Sequence, residues 1–202
     1  MKKHQTATTD SDEPKVEQAT STYNVPNVKK FTKNIITNYN LEGDRWSKTN
    51  ITVNIQALTN EQQQIAKDAI EQINNLNIIN LTITTKKANI TIVPVEQNKT
   101  ASAKTRVEDT DDTYKNLNLI ETTTIELYNP TINNHSNGNY PLELNKIILH
   151  ELGHAVGLEH THSDINNIMN PTTYTKNTNT IDATHATIDQ DYINGLAILY
   201  QN

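Results

Sequence analysis

His150-Glu151-Leu152-Gly153-His154-Ala155-Val156-Gly157-Leu158-Glu159-His160 is the stretch that decides how this chain is read. It spells HExxHxxGxxH, three histidines and a glutamate at metal-ligand spacing. On a helix, His150 and His154 lie one turn apart, about 6 Å along the axis and on one face, so both imidazoles can reach a single ion. Gly157 lets the chain leave the helix in a backbone conformation that other residues resist, and His160 can then swing back as a third ligand. Three neutral nitrogens on Zn²⁺ leave a fourth position open, the layout of a catalytic site. A closed structural site would need a fourth protein ligand. The chain has no cysteine to supply one, and that site would leave Glu151 without a role.

Composition limits the alternatives. The chain has 202 residues, room for one domain and a tail, with 34% hydrophobic residues and a mean hydropathy of -0.68. So polar a chain must concentrate its core in a few elements. A net charge of -6 and a pI near 5.6 give no basic patch and argue against nucleic-acid binding. Without cysteine there is no disulfide framework and no thiolate to block a metal. No apolar run is long enough for a membrane helix. Met1-Lys2-Lys3 resembles the start of a signal peptide, but no apolar region follows it.

The chain divides near residue 40. Residues 1–24 are Thr, Asp, Ser, Glu, Gln, Lys and Pro with almost nothing apolar, the composition of a disordered tail or linker. Residues 25–40 carry Val25, Val28, Phe31, Ile35 and Ile36 and are expected to pack loosely, so that 1–40 forms a tail and 41–202 the folded unit. Alternating Ile51, Val53 and Ile55 predict a strand with one buried face. Thr59 offers a cap to a helix whose Ile65, Ala69, Ile70, Ile73 and Leu76 recur at helical spacing. Leu81–Ile83 and Ile90–Val93 read as strands, Ala101–Val107 as a further one, and Ile120–Tyr128 as a strand of high β-propensity. Leu142–Val156 is the helix of the histidine string, and Asp189–Tyr200 a final helix.

These features together resemble the catalytic domain of the matrixin family, metzincin zinc endopeptidases, over residues 41–202. The string at 150–160 matches the metzincin pattern at every fixed position. Ile168-Met169-Asn170-Pro171 is similar to the Met-turn that names the clan, with Met169 as a packing residue beneath the metal. Gln190–Leu196 resembles the family's C-terminal helix, and Arg45-Trp46 before an alternating strand resembles the domain's opening. The resemblance implies an α+β zincin with a twisted mixed sheet, an active-site helix, a Met-turn and a C-terminal helix. It implies one catalytic Zn²⁺ held by His150, His154 and His160. It implies a pocket shaped by Pro171 and Tyr174, and a substrate lying along the strand edge Ala101-Ser102-Ala103-Lys104-Thr105, with Ala101 and Ala103 lining it. The turn lies about one residue further past His160 than in typical members, and Tyr174 is likewise one residue late. Calcium has little support: Glu108-Asp109-Thr110-Asp111-Asp112 is acidic but lacks a calcium-loop pattern and reads as a solvated charge run.

The expected chemistry is peptide hydrolysis. Bound zinc lowers the pKa of water to around 7, and Glu151 is the expected general base, taking the water's proton and passing it to the leaving amine. No triad spacing or aspartate dyad suggests a rival machinery. The partner is then a peptide or protein, the chain a monomer, and the setting secreted or cell-surface by family resemblance. The alternative is a zinc-binding or adhesion module that kept the scaffold and lost proteolysis. The intact Glu151 speaks against it. His162 reads as a surface-loop histidine rather than a competing ligand, and His4, His135 and His185 carry no assignment.

Overall fold

In the computed structural model, residues 23–171 and 186–201 are described. Eleven elements follow in order: α1 (Lys33–Asn38), β1 (Asp44–Arg45), β2 (Asn50–Asn54), α2 (Asn60–Asn74), β3 (Asn80–Ile83), β4 (Ile90–Val95), β5 (Ala103–Tyr114), β6 (Leu117–Tyr128), α3 (Asn129–His135), α4 (Tyr140–Ala155) and α5 (Gln190–Leu199). The fold is α+β with a mixed sheet. Strands β3, β2, β4 and β6 run parallel in that spatial order, β1 lies beside the start of β6, and β5 pairs with β6 antiparallel.

Local chemistry explains the main elements. In α2 the Thr59 hydroxyl accepts from the Gln62 N–H while the Gln62 side chain returns to the Thr59 N–H, a reciprocal cap. Its buried stripe of Ile65, Ala66, Ala69, Ile70 and Ile73 faces the core. Helix α4 starts at the Asn139 cap with Pro141 in its first turn, where a missing N–H costs nothing. It is buried almost all round, through Leu144, Ile147, Ile148, Leu149 and Leu152, because α2, α3, β5 and β6 all pack on it. At its C-terminal end, the carbonyls of Ala155 and of the cap residue Val156 are taken by two aromatic side chains. Trp46 Nε1 donates to Ala155 O at 2.8 Å, and the Tyr200 hydroxyl donates to Val156 O at 2.9 Å. The opening Arg45-Trp46 therefore holds the end of the histidine-bearing helix. Arg45 itself donates to Leu199 O at 2.6 Å and lies between the rings of Tyr114 and Tyr200.

Several expectations need adjustment. Residues 25–40 pack more tightly than expected: Val28 and Phe31 are core residues, 3% and 2% exposed, and α1 lies in this segment. The Phe31 N–H donates to Lys115 O, and Gln201 bonds both Val28 N and Pro26 O. So few apolar residues, spaced irregularly, carry no periodic signal. The strand expected at Ala101–Val107 runs on to Tyr114, because its partner β6 is long enough to pair with it through two register shifts around Asp109. The acidic run 108–112 sits on this extension. Helix α3 has no expected counterpart, since its Asn-rich sequence carries Pro130 in the first turn and hides a buried Thr131 and Ile132.

Candidate active site

Helix α4 ends in a Schellman arrangement. The Leu158 N–H bonds Gly153 O, the Gly157 N–H bonds His154 O, and Gly157 has a φ of +99°. The chain then reverses and returns His160 to the helix face. The Nε2 atoms of the three histidines converge. His150 and His154 are 3.1 Å apart, His154 and His160 3.1 Å, and His150 and His160 3.2 Å. Among the described residues this is the one cluster of metal-ligating side chains.

The donor set fits a zinc ion. His150 Nδ1 lies 2.7 Å from Ile168 O and His154 Nδ1 lies 2.9 Å from Leu158 O. A carbonyl only accepts, so both Nδ1 atoms carry the proton and both Nε2 lone pairs point inward. Lone pairs crowded in this way repel unless a cation lies among them. Three nitrogens at zinc-ligand distance and tetrahedral angles would be about 3.3–3.4 Å apart, within ~0.3 Å of the observed edges. Burial, with the neighbouring His154, pushes the His150 imidazole down to about 3, so it is neutral and available as a donor at any working pH. Burial and His154 also lower His160. At His154, burial opposes the charge, but the Glu42 hydrogen bond and the Glu151 and Glu42 carboxylates outweigh it and raise the value.

Glu151 follows His150 on α4 and is buried, 7% exposed. Its Oε2 accepts from the Thr105 hydroxyl of β5 at 2.5 Å. Burial raises its pKa and the Thr105 bond opposes that rise. Below the helix, Met169 is 3% exposed and its Sδ lies against Gly153, where a methyl group would collide with it. The Met169 carbonyl accepts from Thr161 N, and the Ile168 N–H donates to Asp189, the cap of α5. Tyr192 of α5 is fully buried and donates to Leu149 O at 3.0 Å. Residues 168–169 and α5 are thereby both tied to α4.

An open cavity of about 570 Å³ lies over the three histidines, lined by Ala101, Ala103, Ile147, Glu151 and Pro171 among others. Ala101, Ala103 and Pro171 are thus at one site, whereas Tyr174 lies outside the described residues. The Tyr128 N–H bonds Ser102 O, so in the antiparallel alternation Ala103 and Thr105 turn their own N–H and C=O groups away from β6, toward the open edge. His162 is exposed. Sequence reasoning missed Thr105 as a partner of Glu151, Glu42 as a partner of His154, and His135, whose Nδ1 is 3.1 Å from the Ser102 hydroxyl at the cavity wall. None of the three stands in a motif, because each reaches the site through tertiary packing.

The chain is a match for known proteins at family level. No curated protein matches it significantly. The family described as Matrixin matches residues 45–201, from the Arg45-Trp46 opening through the histidine helix to the end of α5. That span contains the sheet, the histidine string and the C-terminal helix described above, and the chain belongs to the matrixin family of zinc metallopeptidases.

Proposed function

We propose that this protein is a zinc endopeptidase in which His150, His154 and His160 hold the ion and Glu151 is the general base. The observation that carries the reading is the convergence of three histidine Nε2 atoms beside a buried carboxylate under an open cavity. When bound, zinc supplies Lewis-acid polarisation of the scissile carbonyl and an acidified water. Glu151 takes a proton from the attacking water at a carboxylate oxygen and delivers it to the leaving amine nitrogen. The Thr105 hydroxyl holds Oε2 and leaves Oε1 for that exchange. The extended substrate adds a strand to the outer edge of β5, bonding main chain to main chain at Ala103 and Thr105. Ala101 and Ala103 are small and leave room for it, while Ile147 and Pro171 wall the space beside the three histidines. Met169 forms the Met-turn, a packing floor for α4. The enzyme acts as a monomer on protein substrates, secreted or at the cell surface, as suits its family. No helix among the described residues is long and apolar enough to cross a membrane.

The test is cleavage of a denatured protein mixture by zinc-loaded wild type and Glu151→Ala, with cut sites read by mass spectrometry. Chelator-sensitive cuts by wild type alone, with zinc still near one per chain in the variant, are expected. Full activity in Glu151→Ala would sink the mechanism. Zinc binding without any cuts would favour the non-catalytic module.

A further inference from the structure

The segment preceding the matched family region reaches the metal site. Asn40 O accepts from the Glu159 N–H at 2.8 Å, the Glu42 N–H donates to Gly157 O at 2.9 Å, and Leu41 bridges Leu158 in antiparallel fashion. Residues 40–42 are therefore strapped to the loop that carries His160. At the end of this strap the Glu42 side chain places Oε1 3.0 Å from His154 Nδ1, whose N–H also faces Leu158 O at 2.9 Å. His150, by contrast, uses the carbonyl of Ile168. We propose that Glu42 is a positioning residue, the carboxylate of a carboxylate–histidine–metal relay, which sets the ring of His154 and strengthens its Nε2 as a donor to zinc. Glu42 lies outside residues 45–201, so the family match does not supply this role.

A carbonyl alone fixes the tautomer. A carboxylate adds negative charge on the far side of the ring, and that charge favours electron donation toward the cation. Loss of such a partner costs 10–100-fold in metal affinity as a rule. Here the proton is shared with Leu158 O, so about tenfold is expected. Glu42 faces the Nδ1 side of His154, away from the converged Nε2 atoms, which excludes it as a ligand through this contact.

The proposal rests on the zinc-ligand reading, and its test separates the two. Full-length wild type, Glu42→Gln, Glu42→Ala and His150→Ala are titrated with zinc in competition with a chromophoric chelator. Each is also melted in excess chelator, and the cobalt-substituted forms are compared by visible absorption. The expected result is a zinc Kd raised about tenfold in Glu42→Gln and at least as much in Glu42→Ala. The metal-free melting temperature should not move, and the cobalt bands should shift. A Kd within twofold of wild type overturns the proposal. So does a loss of affinity matched by a fall in metal-free stability, because Glu42 would then be a structural strut. If His150→Ala binds zinc as tightly as wild type, the ligand reading has failed and this proposal falls with it.

Discussion

Gly157→Ala is the substitution with the clearest structural cost. Gly157 sits between His154 and His160 at a φ of +99°, where an L side chain is strained by about 1–2 kcal/mol. An added methyl would also overlap the Asp44 carbonyl oxygen and press on the Leu199 side chain. Asp44 O is backbone, two residues from the strap that binds Gly157 O, so it cannot yield as a side chain would. Overlap of this kind costs a further ~1–3 kcal/mol, offset by about 0.4–1 kcal/mol from the lower entropy of the unfolded chain. The net destabilisation is about 1–4.5 kcal/mol, a fall in Tm of roughly 2–18 °C for a domain of this size. Gly43→Ala is the matched control: its φ is +105°, but no atom lies within 4 Å of the added methyl, so it carries the strain without the overlap and should cost about 1 kcal/mol. Thermal unfolding of both variants, with zinc content after dialysis, is the assay. Gly157→Ala melting no lower than Gly43→Ala would show that the close approach to Asp44 carries no energy.

Two other changes probe the site. Thr105→Val keeps the shape of the side chain but removes the hydroxyl that donates to Glu151 Oε2. A bond to a charged group is worth roughly 1.5–3 kcal/mol, so kcat should fall about tenfold or more with KM little changed, and an unaltered kcat in steady-state assays would contradict the role given to Thr105. Asp44 is pushed up to about 7 by burial and by the Asp109 and Glu42 carboxylates, and its Oδ1 has no hydrogen-bond partner. Because the folded state favours its neutral form, the stability it contributes is fully present below about pH 4 and is lost as pH rises through 7. Asp44→Asn should therefore reduce the fall in metal-free stability between pH 4 and pH 8, by an amount on the order of a few kcal/mol. Parallel urea-unfolding pH profiles for variant and wild type would count against the shift.

Periodic and motif-bearing parts of the fold were legible in the sequence. Capping at Thr59, the stripe of α2 and the alternation around Ile51 and Val53 are local signals, and they coincide with α2 and β2. The string at 150–160 names a helix, a break and a return, and the three imidazoles converge accordingly. What stayed hidden depends on contacts between distant residues. Val28 and Phe31 are core residues only because the hairpin end at Lys115 and the C-terminal Gln201 receive their segment. The full length of β5 follows from pairing with β6 rather than from its own acidic residues. Glu42 and Thr105 look like ordinary polar residues in sequence. Each gains a role when strap or strand brings it to within hydrogen-bond reach of His154 or Glu151.

In the proposed mechanism, His150, His154 and His160 together hold one zinc ion. Anomalous diffraction from crystals of the zinc-loaded wild type, collected on either side of the zinc absorption edge, tests it most directly. One peak bonded to all three Nε2 atoms at about 2.0–2.1 Å is expected. A peak elsewhere, or none at this triangle in a zinc-loaded crystal, would contradict it.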